Sequence, residues 1–210
     1  MKTAHSAAAA REIRVIIFDL GKVIVDFDHR TICKRLAGYC RFTPDEIYAR
    51  IFTSTLEARF DEGRITPEQF HAEAARSLGC NLSITAFKKI WNRIFTINPG
   101  ISALIRRLKK DYRLLCLSNT NIWHFGYCIE TFPVLNQFDA FILSFTVGAR
   151  KPRRRIFKEA LKVAGSLPEH CCYIDDIPEY VHKARKLGMH GIVFTSAEQL
   201  NHDIKQYLAH

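Results

Sequence analysis

The stretch VIIFDLGKVIVDFD, residues 15–28, decides the reading of this chain. Four apolar residues run into Asp19, and the chain then turns polar through Gly21 and Lys22 before two more acids, Asp26 and Asp28. A short apolar run ending in an acid reads as a buried strand whose last residue reaches the sheet edge. Burying a carboxylate there is costly unless it has a partner or a task. The spacing therefore raises two questions, what Asp19 does and why position 21 is a glycine.

Further along the chain, the segments 113–117, 140–144, 171–174 and 191–194 read as buried strands like 13–18. Segments of helical period separate the later ones, and that alternation predicts an α/β fold, a five-stranded parallel sheet flanked by helices. In PGISALIRRLKK, Ile101, Leu104, Ile105 and Leu108 fall at i, i+3, i+4 and i+7 behind a proline suited to a first helical turn. The first crossover is different, because about 95 residues separate strand one from the segment at 113. Within it, Thr66 and Pro67 read as a helix start, Phe70, Ala74 and Leu78 are spaced by four, and SITAFKKIWNRIF carries another apolar stripe. The expected organisation is an α/β core of residues 13–28 and 97–210, with a small helical domain over 29–96 inserted after strand one.

The bulk composition agrees with a globular chain: 210 residues, 48% hydrophobic and 25% charged. No apolar run approaches the roughly 18 residues needed to span a bilayer, so no membrane partner is expected. Seven cysteines form no C-x-x-C pair and several sit in apolar runs, which reads as reduced thiols in a cytoplasmic protein. Residues 1–12, MKTAHSAAAARE, lack a bulky apolar stretch and read as a mobile tail rather than a secretory signal. The formal charge of +10 favours an anionic partner, a phosphorylated small molecule or nucleic acid. Its clusters, RRLKKDYR and ARKPRRRIFK, read as solvated helix faces, and nucleic acid is not the expected partner. The sequence sets no oligomeric state.

In open parallel sheets, ligands bind beyond the carboxyl ends of the strands. Asp19 stands at the end of the first strand, Ser118 and Asn119 after the second, Lys151 in VGARKP after the third, and Asp175 and Asp176 after the fourth. Carboxylates from two strands suit Mg²⁺, which takes oxygen ligands and bridges to phosphate. A hydroxyl and an ammonium can hold the equatorial oxygens of a phosphoryl group, and a buried aspartate can attack phosphorus to form an aspartyl phosphate. Each residue alone has an ordinary structural reading as a helix cap, turn or surface charge. Four in order at four strand ends point to a site.

With FDLGKV, LSNTN, RKP and YIDD in this order, the chain resembles the haloacid dehalogenase-like hydrolase superfamily over nearly its whole length. Within it, FDLGKVIVDFD, LSNTN and ARKPRRRIF look most like bacterial sugar-phosphate phosphatases of the α-D-glucose-1-phosphate phosphatase type. The resemblance implies a Rossmann-like sheet in the order 5-4-1-2-3 and a helical cap after strand one. It also implies a Mg²⁺-dependent phosphatase acting on a small phosphorylated metabolite, a sugar phosphate. By the same resemblance, Asp19 is the nucleophile and Lys151 serves catalysis and phosphate binding. Ser118 and Asn119 belong to the substrate site, and Asp19, the Gly21 carbonyl, Asp175 and Asp176 hold the metal.

Most phosphatases of that superfamily carry a second aspartate two residues after the nucleophile, where this chain has Gly21. The carbonyl survives, but proton transfer to the leaving oxygen is lost, a term of roughly 10²–10⁴-fold. Three readings are open. The substrate has a good leaving group, as anomeric and acyl phosphates do; Asp26 or Asp28 substitutes, although Asp28 is well placed to cap the helix beginning HRTICKRL; or the protein binds a phosphate or a protein partner without efficient turnover. Haloacid dehalogenases also lack the second aspartate, but they need no metal, and the acid pair 175–176 argues against that chemistry. Relatives commonly have a small polar residue at 177 and Asn at 180, where Ile177 and Tyr180 stand here, while Glu179 keeps an acid nearby. Arg59, Phe60, Glu62, Arg64 and Trp91 are candidate substrate contacts from the inserted helices, with core packing the stronger reading of Phe60 and Trp91.

Overall fold

The computed structural model describes residues 13–208, and the N-terminal tail expected over 1–12 lies outside the described residues. In chain order the elements begin with β1 (Val15–Phe18) and β2 (Val25–Phe27). The inserted helices follow: α1 (His29–Leu36), α2 (Pro44–Ile51), α3 (Thr55–Asp61), α4 (Pro67–Leu78) and α5 (Ile84–Asn92). After β3 (Phe95–Ile97) the chain alternates as α6 (Ile101–Leu108), β4 (Arg113–Ser118), α7 (Ile122–Thr131), β5 (Ala140–Leu143), α8 (Ser144–Val147), α9 (Arg154–Ala164), β6 (Cys171–Asp175), α10 (Pro178–Arg185), β7 (His190–Val193) and α11 (Ala197–Asp203).

The main sheet runs β5-β4-β1-β6-β7 with parallel pairing. Its five strands in chain order therefore stand as 5-4-1-2-3 read from the β7 edge, as the resemblance implied. Alternate residues of β1 serve opposite faces, which is the period-2 rule of a strand covered on both sides. Ile16 and Phe18 join the cluster built with Ile101, Leu104, Ile105 and Leu108 of α6. Val15 and Ile17 join the opposite cluster with Ile156, Phe157 and Ala160 of α9.

The inserted helices form their own apolar cluster around Phe60, Phe70, Phe87 and Trp91. Local rules set their boundaries. Thr66 accepts from Gln69 N while the Gln69 side chain accepts from Thr66 N, a capping box that opens α4 behind Pro67. Asp28 accepts from Arg30 N and caps α1, as its position in the sequence suggested. The sequence did not reveal β2 and β3, which pair antiparallel, Val25 with Ile97 and Phe27 with Phe95, where the chain leaves and re-enters the sheet domain. Three residues are too few to show a period, and the pairing spans the whole insertion.

All seven cysteines are free, and among the described residues no helix is long and apolar enough to cross a membrane.

Candidate active site

The register of the sheet assembles the site. Phe18 pairs with Ile174 on one side and Cys116 on the other, so the next residues out, Asp19 and Asp175, emerge side by side. Asp19 N donates to Ile174 O (2.8 Å), which carries the ladder one residue past β1. Lys151 reaches this edge from the segment after α8, and its Nζ lies 2.8 Å from Asp19 Oδ1 and 2.7 Å from Asp175 Oδ2. All three residues are buried. Asp175 also accepts from Tyr173 OH and from Ile177 N (2.8 Å), groups that fix it in place.

Asp19 Oδ1 accepts from Leu20 N (2.7 Å) as well as from Lys151, and among the described residues no bond reaches Oδ2. Burial pushes the Asp19 carboxyl up, to about 7, against the pull of Lys151. Burial alone would lower the Lys151 ammonium, but Asp19 and Asp175 outweigh it and hold it charged, above its ordinary value. Asp176 is half-buried, and burial with Asp175 beside it raises its carboxyl. Asp19, Asp175 and Asp176 each offer an oxygen within 4.8 Å of the others, a donor set that fits a hard divalent cation. The turn after β1 is bonded through Leu20 O and Lys22 N to Val25, on either side of Gly21. Among the described residues, nothing in that turn engages the Gly21 carbonyl.

Ser118, buried at the end of β4, and Asn119 line the same cavity. The Asn119 side chain donates to Lys151 O (3.1 Å) and accepts from Lys151 N (2.7 Å). Its amide thus seats the lysine at the wall of the cavity. Ile177 and Tyr180 also line the cavity, with the Lys151 ammonium 5.2 Å from the centre of the Tyr180 ring, while Glu179 is exposed in the first turn of α10.

Gly21 admits no side chain as the chain stands. A Cβ there would lie 2.7 Å from Phe27 Cε1, and the Phe27 ring packs on His29 and Phe95, with centroids 4.9 and 5.6 Å away. Neither Asp26 nor Asp28 replaces the missing carboxylate. Asp26, which does not line the cavity, pairs with Lys22, whose side chain holds the carboxyl below its usual range, and Asp28 caps α1.

The inserted helices close the cavity with residues that the sequence reading passed over: His29, Glu57 and Asp61, joined by His124 and Arg150. Arg59, Phe60, Glu62, Arg64 and Trp91 turn elsewhere. Arg59 pairs with Glu73, Glu62 with Arg64 and Arg153, and Phe60 and Trp91 are core. A signal did exist, since Glu57 and Asp61 are four apart and share a face beside the Leu56 and Phe60 stripe. A solvated helix shows the same spacing, so only the fold distinguishes them.

Asp61 is anchored. It accepts from Asn121 Nδ2 (3.1 Å) and lies 3.7 Å from Arg150, and its carbonyl accepts from Ser144 Oγ (2.5 Å). Burial pushes its carboxyl up, to about 6, against Arg150 and Asn121. His124 stacks on Trp91, donates from Nε2 to Trp91 O (3.2 Å) and accepts at Nδ1 from Asn121 (3.3 Å), the pattern of a neutral ring. Burial lowers it to about 3.

A parallel sheet with a buried aspartate at its first strand tip, a lysine bridging two carboxylates and a roof of inserted helices defines an α/β enzyme with an acidic, cation-ready centre. The chain belongs to the haloacid dehalogenase-like hydrolases, whose family model matches residues 13–181. A D-ribitol-5-phosphate phosphatase of Bacteroides thetaiotaomicron is 25% identical over 183 residues, covering 84% of this chain and 89% of that protein. A HAD family enzyme of the same organism, solved in complex with magnesium and inorganic phosphate, superposes with a TM-score of 0.79 at 24% identity, over 90% of this chain and 98% of that one. A predicted HAD-like hydrolase of Porphyromonas gingivalis superposes with a TM-score of 0.78 at 27% identity, over 92% and 97% of the two chains.

Proposed function

We propose that this hydrolase is a Mg²⁺-dependent phosphatase of small hydroxylated phosphate monoesters, sugar or polyol phosphates, working through an aspartyl phosphate on Asp19. The observation that carries the reading is the Lys151 ammonium held between Asp19 and Asp175, at 2.8 and 2.7 Å, at the sheet edge. An ammonium there counters the repulsion between an anionic nucleophile and an anionic substrate. Asp19, with Oδ1 fixed by Leu20 N and Lys151, presents Oδ2 to phosphorus. Ser118 and Lys151 bind the phosphoryl oxygens, and Asn119 seats Lys151.

Asp19, the Gly21 carbonyl, Asp175 and Asp176 form the metal site, with Asp175 acting partly through Lys151 and Tyr173. A divalent cation there supplies charge neutralisation for the transferring phosphoryl group. The helices over 29–96 serve as a cap on the core of 13–28 and 97–210, excluding water from the phosphoenzyme. The polar roof of Glu57, Asp61, His29 and Arg150 suits a substrate rich in hydroxyls. The substrate named for the Bacteroides relative, a phosphorylated polyol, supports the same class. Unpaired cysteines throughout suit a reducing, cytoplasmic setting.

Phosphate release from glucose-6-phosphate and p-nitrophenyl phosphate tests the reading. Turnover requires Mg²⁺, stops in EDTA and falls by at least ~10³-fold in Asp19→Asn, as expected when a covalent nucleophile is removed. Turnover that persists in Asp19→Asn overturns the assignment of the nucleophile.

A further inference from the structure

An alkyl phosphate cannot expel an alkoxide readily at neutral pH, so the departing oxygen needs a proton. Gly21 has no side chain to give one, and the Phe27 ring fills the space beside it. Attack and departure lie roughly in line in phosphoryl transfer. With Asp19 on the sheet edge, the leaving oxygen therefore points away from the sheet, toward the inserted helices.

Four groups in that roof could carry a proton. Asp61 is held by Asn121 and faces Arg150. Both ring nitrogens of His124 are engaged. His29 is packed between the Phe27 and Phe52 rings, and desolvation there lowers it to about 4, so it stays neutral. Glu57 remains. Its carboxyl lines the cavity with Asp19 and Lys151, and among the described residues no hydrogen bond reaches it; His29 Nε2 stands 3.7 Å away, beyond bonding distance.

Resting on the phosphatase reading above, we infer that Glu57, carried into the cavity by the inserted helix α3, is the general acid and base of this enzyme in place of a side chain at position 21. In the first step Asp19 Oδ2 bonds to phosphorus, the bond from phosphorus to the leaving oxygen breaks, and the Glu57 proton goes to that oxygen. In the second step a water oxygen bonds to phosphorus, the Asp19–phosphorus bond breaks, and the water proton returns to Glu57.

The charge environment agrees. Burial and the neighbouring Asp61 push the Glu57 carboxyl up, to about 8, and Arg150 only partly offsets them. Glu57 thus holds its proton at neutral pH and faces a neutral His29 from α1. An uncharged carboxyl also adds no repulsion against the incoming phosphate.

The test compares Glu57→Gln with wild type on glucose-6-phosphate, whose leaving group needs a proton, and p-nitrophenyl phosphate, whose leaving group scarcely does. The constant to read is kcat/KM, because it reports phosphoryl transfer to Asp19 and not the later hydrolysis. The expected loss is about 10²–10⁴-fold for glucose-6-phosphate and less than ~10-fold for p-nitrophenyl phosphate. Wild-type kcat/KM for glucose-6-phosphate should fall above a pH near 8, a limb absent with p-nitrophenyl phosphate. That profile needs no variant and stands if Glu57→Gln fails to fold.

Equal losses on both substrates, no loss on either, or a missing alkaline limb overturn the assignment of Glu57. So does a wild type that hydrolyses only p-nitrophenyl phosphate, while the phosphatase reading survives. A wild type silent on both substrates overturns the phosphatase reading, and this inference with it.

Discussion

Gly21 and Phe27 form one unit, because the aromatic ring occupies the space that a side chain at 21 would need. Gly21→Ala should lower stability by about 1–3 kcal/mol, the usual cost of overpacking. In Gly21→Ala/Phe27→Leu the combined loss should fall short of the sum of the two single losses, by a coupling of about 0.5–3 kcal/mol. Denaturant melts of the four proteins measure this, and additive losses would mean that the ring yields freely. His29 makes a second prediction at this scale. Its folded pKa, about 4, lies below the ordinary 6.5, so the unfolded chain binds its proton first as pH falls. The stability that the neutral ring contributes is present above 6.5 and is lost between pH 6.5 and 4. Relative to wild type, His29→Phe should therefore gain stability over that window. The difference between the two melting curves isolates this from Glu57 and Asp61, whose raised values act in the opposite direction.

At the scale of elements, α3 is fastened to the sheet domain at its C-terminal end. Ser144 Oγ meets the Asp61 carbonyl, Asn121 the Asp61 carboxylate, and Arg153 bonds to Glu62 (3.0 Å). Gly63 follows at φ 64, and a Cβ there would stand 2.3 Å from Phe145 O, so only glycine allows the two backbones to meet this closely. The Ser144 hydroxyl also accepts from Thr120 N (2.9 Å) in the interior. Ser144→Ala leaves these groups without a partner and should cost about 1–3 kcal/mol. Calorimetry would show it, and a loss below ~0.5 kcal/mol would mean that the fastening is carried by packing alone. None of this was legible in the sequence, where Ser144, Asn121 and Asp61 are separated by tens of residues and lack any shared pattern. What was legible was local: the helix start at Thr66 and Pro67, the cap at Asp28, and the stripe of Ile101, Leu104, Ile105 and Leu108 on α6. In each case the deciding interaction lies within a few residues of its cause.

For the whole molecule the same division holds. The sheet and its edge could be read because buried strands are apolar runs, and a polar residue at the end of one stands out against them. Asp19, Ser118, Asp175 and Asp176 were found in that way, and Lys151 by its place in the segment after the third strand; the fold brings them to one edge of the sheet. The roof of the cavity could not be read, because Glu57 and Asp61 look like ordinary polar residues of a solvated helix until the insertion folds back over the strand ends. The β2–β3 ribbon was hidden because its strands are three residues long and pair across the whole insertion, although it sets how the insertion joins the rest. Because Val25 pairs with Ile97 and Phe27 with Phe95, the two ends of the insertion stand as neighbouring strands, roughly 5 Å apart. Along the chain, everything between them joins the sheet domain through a single narrow doorway, and the sheet does not register how much chain lies beyond it. Lengthening such an excursion costs little, about 0.6 kcal/mol per doubling. The roof is thus free to be enlarged or trimmed through evolution while the floor of the site stays as it is, provided that α3 keeps Glu57 over the cavity.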